Sequence, residues 1–236
     1  MGDNGPMLAS PIASSALFLL LLPLLGAARG EPAAEVVEGV AGDAKGGAIL
    51  ITEDGRVLYL VGLDSWPSWA LGHPVTATGT VSEQDYLPKA TQDKDGAWTQ
   101  GTTGGKDTVL QSTGWYMHAP PAPWSVSYSD GSGNASRLWA DEEGVGWSYD
   151  PVQPAQSSSG TYSGGEPAAG SLEPEQAGQL WSRMVELEVS PQHHAPQRAK
   201  GTGAFSITTP DGERGFLVVS DAASGFDVML KQLRGL

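Results

Sequence analysis

The sequence predicts an α+β protein that is mostly β: a small barrel, then an antiparallel sheet with two helices on one face. Three observations carry this reading. Thirty-two glycines and seventeen prolines among 236 residues punctuate the chain into short runs, while eight Trp, six Tyr and four Phe supply core material. Turn signals such as Asp54-Gly55 and Asp211-Gly212 separate β-rich runs. Apolar residues at helical spacing recur in two late stretches, 172–187 and 226–233.

In chain order, Ser15–Ala28 is an apolar run of fourteen residues ending in small ones. It is shorter than the roughly twenty residues of a membrane span and fits the apolar core of a secretory signal. Cleavage is expected near Ala28 or Gly30. The segment before it carries Asp3 and no Lys or Arg, and Met7 is an alternative start. The expectation is an exported chain, periplasmic, outer-surface or extracellular, with no transmembrane segment in its mature part. Residues 31–46, rich in Ala, Gly and Glu, read as a flexible tether, with order beginning at Gly47.

Beyond Gly47, Ala48–Thr52 and Val57–Val61 form a hairpin, because Gly55 accepts the positive φ of the turn. Asp64–Gly72 reads as one helical turn. Pro74–Val81 alternates apolar and polar, as a half-buried strand does. Residues 89–107 are polar and glycine-rich, a long loop, and Thr108–Thr113 closes the unit as a strand. Leu58-Tyr59-Leu60-Val61-Gly62, Trp66, Leu71 and Gly72–Thr80 resemble the strand, crossover and strand of exported bacterial OB-like domains. That resemblance implies an OB-like β-barrel domain over 47–117 and no activity.

The Pro-rich run His118–Pro123 marks the expected boundary to an α+β domain over 121–236. Trp124–Ser129 and Arg137–Ala140 flank a turn at 130–134, and Val145–Val152 is a third strand. Residues 153–170 are irregular. Pro174 suits the first helical position, with Leu172 placed to staple against Ala177. Ala177, Leu180, Trp181, Met184 and Leu187 then make one apolar face, and Ser190-Pro191 ends the helix. Thr202–Thr208 and Gly215–Ser220 form another hairpin. A last helix carries Phe226, Met229, Leu230 and Leu233, with Lys231 and Arg234 near its C-terminal dipole.

Asp130–Asn134, Tyr149–Val152, Ser157–Gly165 (SSSGTYSGG) and Lys200–Gly203 (KGTG) resemble a family of uncharacterised exported bacterial proteins of myxobacterial type. This resemblance implies a source and a location but no chemistry. The Gly-Gly loop followed by a helix and a hairpin also resembles emfourin-type metalloprotease inhibitors.

Net charge is −14, a field that repels phosphate backbones, so nucleic acid is not an expected partner. The chain has no cysteine, hence no disulfide, thiolate zinc site or lipidated cysteine. Ser163 sits in G-x-x-S-G-G rather than the G-x-S-x-G of a nucleophile elbow, with no helix starting just after it. His193 and His194 are adjacent, and adjacent rings rarely meet at one ion. Asp130, Ser132, Asn134 and Asp141 mimic calcium-loop oxygens, but Ala135 stands where that loop needs glycine, so a hairpin turn is favoured. No metal and no cofactor is expected. Arg198 and Lys200 form a basic island in an acidic chain, and Trp98 lies in a polar loop where an indole can stack on a sugar or anchor a partner.

The candidate binding residues are therefore Tyr162, Ser163, His193, His194, Arg198, Lys200 and Trp98, with no catalytic residue assigned. The reading is a non-catalytic secreted or envelope protein that binds a protein or glycan. The alternatives are an exported hydrolase using the Ser163 loop and an inhibitor of an exported protease.

Overall fold

Eleven strands and two α-helices arrange the chain, in a computed structural model that describes residues 33–97, 101, 102 and 104–236. The expected signal segment and Trp98 lie outside the described residues. The first sheet is a closed five-stranded barrel of β1 (Glu35–Ala44), β2 (Gly47–Ile51), β3 (Val57–Leu60), β4 (Pro74–Gln84) and β5 (Asp107–Met117). Its order is β1-β2-β3-β5-β4, with β1 pairing back to β4 and β3 running parallel to β5. That closure is the OB-like barrel the sequence led us to expect. Leu50, Leu58, Leu60, Val75 and Leu110 fill it completely shielded from solvent or nearly so.

Residues Glu35–Ala44 are not a tether but β1, which closes the barrel by pairing with β2 and β4. Val37 and Ala41 point inward and are buried, which is a strand alternation diluted by small residues. Gly39 shows why they are small: a Cβ there would lie 2.5 Å from the Ile51 carbonyl oxygen. The helical turn expected at 64–72 is present, with the amides of Ala70 and Leu71 both donating to the Pro67 carbonyl. Trp66 is buried beside it, its indole N–H donating to the Ile49 carbonyl at 2.7 Å.

The second sheet contains β6 (Trp124–Ser129), β7 (Ala135–Asp141), β8 (Gly144–Asp150), β9 (Ala168–Ser171), β10 (Gly203–Thr209) and β11 (Gly212–Val218). All pairings are antiparallel, in the order β11-β10-β6-β7-β8-β9. The segment read as irregular, 153–170, thus contributes most of an edge strand, the Ala- and Gly-rich β9. Helices α1 (Pro174–Val189) and α2 (Ser220–Leu233) cover one face. At the start of α1, Pro174 takes the first position and the Glu173 amide donates to Gln176 Oε1 at 3.1 Å.

Strand alternation divides the two faces of this sheet. Trp124, Val126, Tyr128, Leu138, Trp147, Phe205 and Ile207 point to the helices and are buried. Phe226 of α2, wholly buried, meets Tyr128 and Phe205 edge-on, with ring centroids 5.1 and 5.0 Å apart. Intervening residues such as Ser125, Ser127, Arg137, Trp139 and Ser148 face away from the helices.

At the expected domain boundary the barrel and the second sheet share contacts through α1. The buried Ser182 hydroxyl accepts from the Met117 amide at 2.7 Å and donates to the Gly178 carbonyl at 2.7 Å. Residues Ala33–Leu236 accordingly form one compact unit. Among the described residues no helix is long and apolar enough to cross a membrane.

Candidate functional site

The turn joining β6 to β7 anchors the site. Asp130 Oδ1 accepts from the amides of Ser132 at 2.8 Å and Asn134 at 2.9 Å, and Oδ2 accepts from Asn134 Nδ2 at 2.7 Å. This is how an aspartate stabilises a hairpin turn: its carboxylate is occupied by its own neighbours. Asn134, the residue the calcium-loop pattern singled out, is buried and serves as the hub. Its Oδ1 accepts from the Val152 amide at 3.0 Å, and its Nδ2 also lies 2.9 Å from the Tyr162 hydroxyl, to which it donates.

The loop Ser157–Gly165 is braced against that hub. The Gly164 carbonyl accepts from the Tyr149 hydroxyl at 2.7 Å, and the Gly164 amide donates to the Val152 carbonyl at 2.9 Å. Only glycine fits at 164, because a Cβ there would overlap Asn134 Oδ1. Tyr162 neither plugs the core nor projects freely. The residue is 38% exposed while its hydroxyl is held by Asn134. The loop is held by β8 and the turn at 130–134, not by the N-terminus of α1.

Between this loop, the ends of β6–β8 and the last turns of α2 lies a polar pocket of about 290 Å³. Tyr128, Tyr149, Tyr162 and Ser163 contribute hydroxyls to it, and Asp130, Asp227, Lys231 and Arg234 contribute charge. The Tyr128 hydroxyl donates to Asp227 Oδ1 at 2.7 Å. Burial holds the Asp227 carboxyl above the usual carboxylate range, against the opposing pull of that hydrogen bond. Burial first, and the Asp227 hydrogen bond second, push the Tyr128 phenol far up, so it stays a donor. Arg234 places its guanidinium 3.9 Å from the centre of the Tyr149 ring. Its Nε is buried and has no hydrogen-bond partner among the described residues.

Tyr162 and Ser163 both line this pocket. The Ser163 hydroxyl accepts from the Gly165 amide at 3.2 Å, and no histidine is among the lining residues. Arg198 reaches the same turn from outside the pocket, its Nη2 donating to Ser129 Oγ at 2.9 Å and to the Asp130 carbonyl at 3.2 Å. The basic island and the Gly-rich loop, far apart in sequence, thus meet on one hairpin turn. Lys200 is exposed in the adjoining turn before β10.

The two histidines are not brought there. The His194 ring nitrogen Nε2 lies 3.0 Å from the Leu187 carbonyl and the ring tilts over Phe216 at 5.5 Å. His193 accepts from the Val219 amide through its carbonyl at 2.8 Å. Both finish the C-terminal end of α1 and border β11. Sequence reading missed Tyr128 and Asp227 as site residues because only the fold brings them together. It placed Lys231 and Arg234 at a helix terminus without a neighbour to act on. Compared with protein-family models, curated proteins and solved structures, the chain matches none of them.

Proposed function

We propose that this chain is an exported, non-catalytic binding protein whose pocket beneath the Ser157–Gly165 loop receives a polar group of a protein or glycan partner. The observation that carries the reading is Arg234, whose buried Nε proton lacks an acceptor among the described residues, in a pocket otherwise rich in hydroxyls. A buried donor left unpaired costs about 1–3 kcal/mol, which a ligand oxygen would recover once the guanidinium turns toward it. Asp227 and the tyrosine hydroxyls add acceptors on the other wall, so the pocket suits a group that both accepts and donates. Ser163 is a hydrogen-bonding wall residue in this reading, since its hydroxyl accepts from the loop's own backbone and has no histidine beside it in the pocket.

The test is capture from envelope extract by the immobilised chain, compared with its Tyr162→Ala and Arg234→Gln variants. A partner retained by the wild type and lost by both variants, with their folds intact by circular dichroism, supports the reading. Equal retention by all three would overturn it. One observation favours a second reading, inhibition of an exported protease. The loop is surface-exposed yet braced at Tyr162 and Gly164, as a segment inserted into a protease cleft must be. Slowing of a secreted metalloprotease by the purified chain, relieved by Tyr162→Ala, would favour that reading over the first.

A further inference from the structure

On the face of the second sheet that the helices leave open, a groove of about 610 Å³ runs between the Pro123–Ser125 strand start, β7 and the β10–β11 turn. From its lining, and independently of the pocket, we propose that this groove binds an uncharged β-1,4-linked glycan chain, with Trp139 as the stacking platform. Trp139 stands opposite Gly146 in the β7–β8 ladder. A Cβ at Gly146 would lie 2.5 Å from Trp139 Cζ2, 2.6 Å from Cε2 and 3.0 Å from Nε1, so the indole leans into the space the glycine vacates. The residue is half-buried and lines the groove. Its N–H has no hydrogen-bond partner among the described residues.

The neighbours complete a sugar site. Ser125 and Ser148, one strand away on either side, supply hydroxyls, and Thr208 extends them across β10. Arg137 lies in the same face with its guanidinium 6.0 Å from the Trp139 ring centre, and makes no ion pair among the described residues. Asp141 lines the groove opposite in charge, its Oδ1 accepting from the Glu143 amide at 2.8 Å. A pyranose presents an apolar C–H face to an aromatic ring and a rim of hydroxyls that both donate and accept. The indole and these side chains match that division.

Charge selects the class of glycan. One cation and one anion line the groove, so their charges cancel, and the chain as a whole carries −14, which disfavours polyanions. The open sheet face favours a chain whose rings lie in a ribbon, which β-1,4 linkage gives.

The test is native affinity electrophoresis of the full chain in gels containing hydroxyethylcellulose, with polygalacturonate as the anionic arm. Wild type should be retarded by the neutral polymer and not by the anionic one. Trp139→Ala should weaken the affinity about tenfold, and Trp139→Phe should keep most of it, because a smaller ring still stacks. Val228→Ser, an exposed change on α2 that lines neither the groove nor the pocket, should leave it unchanged. Urea midpoints of each variant guard against a folding effect. Lack of retardation by hydroxyethylcellulose, equal retardation of Trp139→Ala, or stronger retardation by polygalacturonate would overturn the proposal.

Discussion

The pocket and the groove lie on opposite faces of one sheet and are built from alternate residues of the same strands. Ser136 and Tyr149 face the pocket while their neighbours Arg137 and Ser148 face the groove. On the pocket side Asp130, Asn134, Tyr128 and Tyr149 all hold hydrogen bonds within the protein, and Arg234 Nε is a buried atom without a partner among the described residues. On the groove side the side chains of Trp139 and Arg137 hold no hydrogen bond among the described residues. One face uses most of its polar groups to fix the fold around a buried unpaired donor, whereas the other leaves the side chains of Arg137 and Trp139 open. Substitutions should therefore separate into those that cost stability and those that cost binding.

The largest expected effect is on the pocket side. Asn134→Ala removes the acceptor of the Val152 amide and the donor to Asp130 and Tyr162, so it should lower stability by about 3 kcal/mol in urea denaturation. A loss under about 0.5 kcal/mol would mean that the hub is incidental. Next comes the groove. Trp139→Ala should cost about 1 kcal/mol or less, because a half-buried residue on an open face loses little packing. A cost like that of Asn134→Ala would make Trp139 a core residue and dissolve the contrast. Tyr162→Phe removes one hydroxyl acceptor while Asn134 keeps Asp130, so about 0.5–1 kcal/mol is expected by the same measurement.

The smallest effect is a pH dependence at Asp227. Its carboxyl is raised by burial, so the stability it contributes is full below the ordinary carboxylate pKa and is lost as pH rises through the raised value. Asp227→Asn keeps an acceptor for Tyr128 and carries no charge. The variant should therefore gain on wild type as pH rises from acid toward neutral, read from urea midpoints across that range. A gap that moves the other way would place a stabilising ionised carboxylate in the pocket.

How much of this was legible in the sequence follows from the range of each interaction. Local signals worked: Pro174 and the Ala177–Leu187 face located α1, and Trp124–Ser129 was read at its true bounds as β6. The barrel's β1 was missed because Gly39, Gly42, Ala41 and Ala44 dilute its alternation, although close strand approach requires small residues there. Strand β9, with only Ala, Gly and Ser, hid for the same reason. At the sites, Tyr162 and Ser163 were legible from their Gly-rich loop. Tyr128 and Asp227 were not, because they are 99 residues apart and only the packing of α2 on the sheet joins them. Trp139 shows one further limit. The alternation of Arg137, Trp139 and Asp141 with Leu138 and Ala140 puts it on the outer face, but the opposing Gly146 that accommodates it is known only once the register is known.

The measurement that bears most directly on binding without catalysis is made on Ser163→Ala. Wild type and variant are assayed side by side for hydrolysis of a panel of activated ester and peptide substrates, and for capture of the same partner. The account predicts no turnover above buffer by either protein and equal capture by both, since the Ser163 hydroxyl bonds only its own loop. Turnover by wild type that vanishes in Ser163→Ala would contradict it and put a nucleophile in the pocket.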